Sequence, residues 1–465
     1  MRFNKHSQLL TAIATLLLTT PLWATNGYFT HGTGAKNKAL AGSGLAMPED
    51  AISIANNPAA ALANAGKYDV GIAVFSPSRH YKTSESQANG QVGAFTIGPN
   101  DIDSSNNAFF IPHIAGAWKL SEESAWGAAF YGRGGMNSLW KGGSATFDPD
   151  GPGPAPVLTF PGTYGASAIP GSGPGGSAGV DFSQAYLDIT YSRSLGENFT
   201  WGVSLVAVMQ VFSARGVGTF APFTETFVAS GGMVQPDSLS NKGHDQGYGV
   251  SGRVGVLWDI NEKLSIAGSY IPKIGMSKFK DYSDLFAGGG NMDIPADLKL
   301  GLTFRPNPGL ALNFDYEKIW YSDAVSIGNE FSRLFSCPSV NPMSSAFDHC
   351  LGGKQGAGFG WQDMDIFKIG AQWSNGNDWT WRAGISHGDQ PVPESEVMFN
   401  ILAPGVIEDH ITFGFTREMA SGNEMTMAFM YAPNNKVTGI NPFDPTQTIS
   451  IDMDQFEVEF AWGWR

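Results

Sequence analysis

The sequence predicts a 14-stranded antiparallel outer-membrane β-barrel with an N-terminal helical hatch in its lumen. Three observations support this fold class: an export signal, alternating segments joined in turn by short and long connectors, and tryptophans gathered near the short connectors. We expect a signal peptide at residues 1–24, a hatch at 25–66 and the barrel at 67–465.

The first residues have the form of a signal peptide. Arg2 and Lys5 precede the apolar run LLTAIATLLLTT, and PLWA ends at Ala24, where we expect cleavage. The run is shorter than the roughly 20 residues that a membrane-spanning helix needs. No later segment is apolar for long enough either, which excludes a helical membrane protein. A soluble exported protein and an outer-membrane barrel both remain open at this point.

Composition narrows the class further. The 59 glycines and 12% aromatic residues favour strands and turns. A net charge of −14 gives no electrostatic support for a nucleic-acid partner. Cys337 and Cys350 lie in one loop-like stretch and predict a local disulfide in an oxidising compartment. The scattered histidines show no ligand spacing, so we expect no metal and no cofactor.

Connector length is the most informative pattern. Short connectors joining antiparallel strands on one side, with long loops on the other, are typical of outer-membrane barrels. Six short and seven long connectors join 14 strands, and the last strand, ending at Arg465, should pair with the strand that starts at Lys67. The short connectors lie at 121–124, 196–198, 261–262, 307–309, 375–378 and 420–423, and the long ones at 81–106, 135–180, 213–245, 278–293, 323–360, 389–407 and 432–449.

Side-chain alternation separates a lipid face from a lumen face. In the last strand Phe456, Val458 and Phe460 share one face, whereas Glu457 and Glu459 point the other way. Nine of the 13 tryptophans lie near a short connector or the C-terminus, as in an aromatic girdle. The lumen face is expected to carry Arg133, Arg253, Lys299, Lys368 and Arg382 together with Asp188, Asp315, Glu317, Glu457 and Glu459.

The segment before the first strand predicts two short helices of small residues. Pro48, Glu49 and Asp50 suit the first turn of one helix, because acidic residues favour the positive end of the helix dipole. Asn57 is placed to cap the second, with Pro58 at its first position. Such small helices can fill a lumen.

These features resemble the FadL-type long-chain fatty acid transporters, a family that includes importers of aromatic hydrocarbons. The resemblance rests on the mature start TNGYFTHGTGAKNKALAGSGLAM, the Asn57-Pro58-Ala59 element, the strand number and the stretch DQPVPESEVMFNILAPGVIEDHITFGF, and it covers the whole mature chain. It implies a monomeric, non-enzymatic barrel in the outer membrane of a Gram-negative bacterium. It also implies a hatch, to which Tyr28 and Phe29 belong with Asn57, Pro58 and Ala59.

The resemblance further implies capture of hydrophobic ligands by outer loops and their sideways release beside a kinked third strand. We expect the kink at Gly127 and Gly132, and contacts to a fatty-acid carboxylate from some of the lumen cations. The candidate capture residues are Phe220, Phe223, Phe227, Met233, Tyr282, Leu285 and Phe286, and the candidate carboxylate contacts are Arg133, Arg253, Lys299 and Lys368.

The predicted function is passive import of long-chain fatty acids or similar hydrophobic compounds. The expected partners are these small molecules, outer-membrane lipid and the barrel-assembly machinery. An aromatic-hydrocarbon importer, an adhesin or structural barrel, and a non-selective porin remain alternatives. The matches GGSAG at 175–179 and GYGVSG at 247–252 lack the strand-turn-helix context of a hydrolase or a dinucleotide site.

Deletion of residues 25–45 tests the hatch. We expect the deletion to abolish selective uptake while the barrel still folds and remains heat-modifiable on gels, because the strands that form the wall are intact. Uptake unchanged from that of the full chain would contradict the hatch hypothesis.

Overall fold

The computed structural model describes residues 26–148, 153–165, 176–374, 376 and 378–465, so the predicted signal peptide lies outside the described residues. A closed antiparallel barrel of 14 strands dominates the fold. The barrel strands are β1 (Tyr68–Thr83), β2 (Phe109–Lys119), β3 (Ser124–Asn137), β4 (Ser177–Leu195), β5 (Phe199–Arg215), β6 (Asp245–Asn261), β7 (Leu264–Ile271), β8 (Asp297–Asn307), β9 (Leu310–Ile319), β10 (Met364–Ser374), β11 (Trp379–Gly388), β12 (Asp409–Glu418), β13 (Glu424–Asn441) and β14 (Asp444–Trp464).

Closure of the sheet joins the first barrel strand to the last. Each strand pairs with its neighbours along the chain, and β14 returns to β1 with Tyr68 opposite Trp464 and Thr83 opposite Ile449. Backbone groups in hydrocarbon need partners within the protein, and a closed sheet supplies them. The predicted strand number and closing pair are therefore confirmed. Among the described residues, no helix is long and apolar enough to cross a membrane.

The short turns at 121–124, 196–198, 261–262, 307–309 and 420–423 are confirmed, and the one predicted at 375–378 lies partly outside the described residues. The predicted seventh long loop at 432–449 is wrong. There β13 continues to Asn441 and β14 begins at Asp444, so the two strands form a long hairpin. Polar residues on the outward face, such as Lys436 and Thr448, give this stretch the composition of a loop. On the inward face Ile449 and Ile451 are fully buried, which shows that the strands continue above the apolar band.

The outward face of the wall is apolar over the height of a membrane. Leu205 on β5 and Phe456 on β14 are exposed, as alternation predicts. At the short-turn end, Trp118 stacks on Trp126 with ring centroids 4.2 Å apart. This pair belongs to the predicted aromatic girdle.

Residues 26–66 pack inside the barrel. They contain helix α1 (Ala35–Lys38), a 3-10 helix (Ala51–Ala55) and helix α2 (Ala60–Ala63). The predicted cap at Asn57 is wrong, because helix α2 begins at Ala60 and its N-cap residue is Ala59. The Asn57 Oδ1 instead accepts the Ala59 N–H at 3.0 Å in the turn before the helix. The prediction for Glu49 is wrong, because the 3-10 helix begins after it at Ala51 and the Glu49 carboxylate instead binds Arg382 on the wall.

Glycines in the wall make room for this segment. A Cβ on Gly255 would overlap Asn57, and one on Gly202 would overlap the backbone of Pro58. Asn57 also donates its amide N–H to the Val256 carbonyl at 3.0 Å. The high glycine content of the strands is thus a steric requirement of the hatch. Wall glycines against the hatch are Gly127, Gly202, Gly255, Gly301, Gly370, Gly384 and Gly414.

Short elements of the outer loops cover the other end of the barrel. Cys337 and Cys350 form a disulfide within the fifth long loop. Strands Phe95–Ile97, Ser144–Phe147 and Leu158–Pro161 form a small sheet, Asp101–Asp103 pairs with β1, and Trp140–Lys141 pairs with β4. The loop helices are Gly218–Phe223, Glu225–Ala229, Lys280–Tyr282, Ala287–Gly290, Tyr321–Asp323, Val325–Gly328, Phe331–Ser336, Phe347–His349, Glu394–Glu396 and Val397–Asn400.

The substitution Gly255→Val tests the steric fit of the hatch. We expect a folded barrel whose hatch no longer seats at Asn57, because the new side chain occupies the space of the asparagine amide. Ion conductance in planar bilayers should rise well above that of the wild type. Gly252→Val on the same strand is the matched control, since a Cβ there lies 3.7 Å from the Ser204 carbonyl oxygen and makes only ordinary contact. Equal conductance in the two variants would contradict the fit.

Candidate functional site

Two of the four candidate carboxylate contacts are buried arginines that are already paired. Arg133 binds Asp297 and lies over the Phe29 ring at 4.1 Å. Arg253 binds Asp188 at 2.8 Å and also donates to the Ala55 carbonyl of the hatch. Both arginines therefore tie the hatch to the wall.

The two candidate lysines share one carboxylate. Lys368 lies 2.6 Å from Glu317 and Lys299 lies 3.3 Å from it. Lys368 also donates to the His31 carbonyl of the hatch at 2.9 Å. A ligand carboxylate would have to compete with Glu317 for these cations, and their role in ligand binding stays a prediction.

Charged residues of the hatch, absent from the sequence-based candidates, complete the lumen network. Lys38 lies 2.8 Å from Glu457 and 2.7 Å from Glu459 of β14, and all three side chains are buried. Lys36 binds Glu424 at 2.6 Å. A signal for these pairs was present in the sequence, since lysines stood in a segment of small residues and alternation placed Glu457 and Glu459 in the lumen.

Glu49 forms another anchor of the hatch, to β10 and β11 of the wall. Its carboxylate lies 2.7 Å from Arg382 and accepts the Gln372 amide N–H at 2.6 Å. Burial raises the pKa of Glu49, but the charges of Arg382 and Lys36 outweigh burial and hold this pKa at about 2. Because the folded-state pKa lies below the ordinary value, this anchor is lost only as the pH falls towards 2 and is complete at neutral pH.

The wall changes its pairing between β2 and β3. Their ladder runs only from Lys119 opposite Ala125 to His113 opposite Tyr131, while β3 continues to Asn137 along β4. A register shift between Gly132 and Gly134 makes Arg133 an extra residue of β3. We call the part of the wall where β3 has left β2, residues 132–137, the seam.

The start of the hatch binds the seam from inside. The Thr30 N–H donates to the Arg133 carbonyl and the Gly135 N–H donates to the Tyr28 carbonyl, both at 2.9 Å. The predicted kink at Gly127 is corrected, since Gly127 has regular partners on both β2 and β4 and its free space is taken by Ile54. Gly132 lies at the register shift itself.

Several of the candidate capture residues lie in one apolar cluster above the lumen. Phe220, Leu285 and Phe286 line a cavity with Phe212 of β5 and Phe399 of the sixth long loop. The space that water can reach in it is about 30 Å³, enough for about two water molecules. A ligand can enter only if these side chains move apart.

Aromatic rings from other loops extend this cluster. Phe223 stacks on Phe443 at the tip of the β13–β14 hairpin, with centroids 5.5 Å apart, and Phe331 and Phe335 contact the same ring. The sequence analysis omitted Phe331, Phe399 and Phe443, because aromatic residues spread over different loops show no local pattern. Their packing depends on loop positions that only the fold supplies.

The remaining candidates do not line this cavity. Tyr282 is buried and donates its hydroxyl to the Gly243 carbonyl at 2.6 Å, which makes it a support for the loops. Phe227 is half-buried on helix Glu225–Ala229, and Met233 is 86% exposed to solvent. Met233 is thus the outermost apolar residue of the candidate set.

A second cavity lies at the short-turn end, below the hatch. It encloses about 370 Å³ and is lined by hatch residues Met47 and Glu49 and by wall residues that include Asp259 and Arg305. The hatch therefore separates an apolar cluster on the loop side from a polar vestibule on the periplasmic side. Among the described residues, no group of His, Cys, Asp and Glu could hold a metal ion.

A closed outer-membrane barrel whose lumen is filled by its own N-terminal segment, below an apolar cluster, belongs to the class of outer-membrane transport channels. The chain is a member of the family described as outer membrane protein transport protein (OMPP1/FadL/TodX), whose model matches residues 162–450. The family transports hydrophobic compounds across the outer membrane and is not enzymatic. The predicted family, location and class are thereby confirmed.

Solved structures of low sequence identity share the fold. The toluene transporter TbuX of Ralstonia pickettii is 15% identical with a TM-score of 0.56, covering 94% of this chain and 98% of its own. The toluene transporter TodX of Pseudomonas putida is 14% identical with a TM-score of 0.56, covering 94% and 99%. A Pseudomonas aeruginosa FadL homologue is 13% identical with a TM-score of 0.60, covering 94% and 98%. The comparison with curated proteins finds no match.

The substitution Lys38→Met tests the charge pairs that hold the hatch. It leaves the buried Glu457 carboxylate without a cation and Glu459 with only His113, whose Nδ1 lies 3.2 Å away. This costs about 3 kcal/mol or more of the free energy that keeps the hatch seated. We expect raised ion conductance in planar bilayers.

The triple variant K38M/E457Q/E459Q is the control, because it removes the charges as well as the cation. It should return conductance towards the wild-type level. If Lys38→Met alone leaves conductance unchanged, the hatch does not depend on this pair.

Proposed function

We propose that this chain imports long-chain fatty acids or similar hydrophobic compounds by passive diffusion. In this route the outer loops capture the ligand, the lumen beside the hatch receives it, and the seam releases it sideways into the membrane. The observation that carries the proposal is the position of the seam, directly beside the start of the hatch and below the apolar cluster.

The loop cluster supports capture. Apolar side chains from different loops, among them Phe220, Phe223 and Phe443, gather at the water-facing end of the barrel. Apolar surface in that position favours the entry of molecules that water excludes. The small unfilled volume means that the loops must open to admit a ligand, which couples entry to loop motion.

The filled lumen is evidence against an open, water-filled route through the barrel. Charged pairs and backbone hydrogen bonds fill the lumen between the two cavities. The hatch chain is tied to β14 through Lys38 and, across the lumen, to β6 through the hydrogen bond from Arg253 to the Ala55 carbonyl. A non-selective porin needs a continuous water-filled lumen. Sideways release through the seam requires only local movement of Tyr28, Phe29 and Thr30.

Two classes of ligand are candidates for transport. A fatty acid is supported by the cations that surround Glu317, which could exchange one carboxylate for another. An aromatic hydrocarbon is supported by the ring-rich cluster around Phe220 and Phe443, and the structural relatives include proteins named toluene transporters. Mass spectrometry of the compound that co-purifies with the detergent-extracted protein distinguishes the two.

The proposal extends to the partners and the assembly state of the chain. We propose a monomer, because one chain closes its own barrel and lumen. Its apolar outer face meets outer-membrane lipid, and insertion depends on the barrel-assembly machinery. The apolar cluster and the seam have no role in an adhesin or a structural barrel, which makes these functions weaker candidates than transport.

Deletion of Arg133 together with Asp297→Asn tests release through the seam. Removing the extra residue of β3 restores a regular register, so that β3 can continue its pairing with β2 and close the seam. The second change avoids leaving Asp297 buried without its arginine. We expect uptake of radiolabelled oleate and toluene by cells to fall at least tenfold.

The matched control is the double substitution R133M/D297N. It removes the same ion pair and keeps the extra residue, so uptake should stay near the wild-type level. Equal uptake by the deletion and its control would exclude the seam as the exit.

A further inference from the structure

Two glutamines face each other on the inner wall beside the seam. Gln184 on β4 lies directly opposite Gln210 on β5 in the strand register, and Gly134 of β3 is the partner of Gln184 on its other side. Both glutamines are 0% exposed to solvent. Cross-strand neighbours on one face have Cβ atoms roughly 5 Å apart, so the two amides lie within reach of one small group.

The hydrogen bonding of this pair is incomplete. Gln184 accepts the Tyr186 hydroxyl on its Oε1 at 3.2 Å, which leaves its Nε2 as a donor. The Nε2 of Gln184 faces the Tyr28 hydroxyl of the hatch. Within the described part of the chain, both Nε2 and Oε1 of Gln210 make no hydrogen bond. A buried amide without partners costs roughly 1–3 kcal/mol, so a donor and an acceptor left free on one buried side chain indicate a group that binds there.

The two glutamines lie at the inner end of the row of apolar side chains that descends from the loop cluster. One step outward on the same inner face lie Phe182 and Phe212, and Phe212 lines the cavity of the loop cluster. Residues two apart on a strand are about 7 Å apart, which places the amides about that distance below Phe212. The Tyr28 ring of the hatch lies beside Phe182, with centroids 5.8 Å apart, and covers the seam side.

We propose that Gln184 and Gln210 form a polar subsite for the oxygen-bearing end of the transported molecule. The complementary group is a hydroxyl or an uncharged carboxyl on an apolar body, because its oxygen accepts an amide N–H and its O–H donates to the Oε1 of Gln210. The ligand body lies against Phe212, and its polar end reaches the seam. This inference rests on the proposed transport function and narrows its substrate class to amphiphiles rather than plain hydrocarbons.

Matched ligands and a nearly isosteric variant test the subsite. Saturation binding of tritiated 1-decanol and tritiated decane is measured on the full chain in lipid nanodiscs, with empty nanodiscs subtracted. We expect tighter binding of 1-decanol than of decane to the wild type. In Q184M/Q210M the affinity for 1-decanol should fall about tenfold or more, because two hydrogen bonds are lost, while the affinity for decane stays unchanged.

The control is Gln455→Met, which changes another buried, inward-facing glutamine on β14. It should leave both affinities unchanged. Because methionine removes unsatisfied polar atoms at nearly constant volume, the double variant is expected to fold, and heat-modifiability on gels checks this.

The outcomes separate the subsite from the transport function. Unchanged 1-decanol binding in Q184M/Q210M overturns the subsite, and so does an equal loss for both ligands, which would assign the amides to wall packing. If the wild type binds neither compound, the proposed transport function fails and this inference fails with it. Selective loss of 1-decanol binding in the double variant alone supports the subsite.

Discussion

Neutralising the charges in the lumen is the constraint on which the rest of the structure depends. Carboxylates of the wall, such as Glu457 and Glu459, are buried and would be strongly unfavourable without the Lys38 ammonium of the hatch. In return, Glu49 of the hatch depends on Arg382 of the wall. Neither part satisfies its charges alone, so the hatch is held by many local pairs distributed around the lumen.

This arrangement explains why we propose release through the seam rather than along the lumen axis. Along the axis a ligand would have to break contacts of the hatch with both sides of the wall, those of Lys38 with β14 and of the Ala55 carbonyl with Arg253 of β6. At the seam, the start of the hatch is held by backbone hydrogen bonds from Tyr28 and Thr30 and by the contact of Phe29 with Arg133. Movement there exposes the wall where β3 has left β2 and leaves the pairs at Lys38 and Glu49 in place.

The sequence predicted the barrel well because connector length and alternation are local signals. Strand number, closing pair, short turns and the inward direction of Glu457 and Glu459 all followed from them. The β13–β14 hairpin was missed, since its outward face turns polar above the membrane while Ile449 and Ile451 remain buried. The loop cluster was predicted only in part, because Phe331, Phe399 and Phe443 meet only after distant loops fold together. The pairing of Lys38 with Glu457 and Glu459 likewise became apparent only from the register of β14.

The glycines of the wall have a consequence for how such channels diversify. The wall at positions such as Gly202 and Gly255 fits the Asn57-Pro58 turn closely. The inner surface of the wall and the N-terminal segment are therefore sterically complementary. A hatch transferred from a distant relative would clash with a wall whose inner surface fits a different sequence. Exchange of outer loops meets no such obstacle on the inner wall. Ligand specificity can therefore change through substitutions in the outer loops alone, whereas changes in the hatch and in the inner wall must occur together.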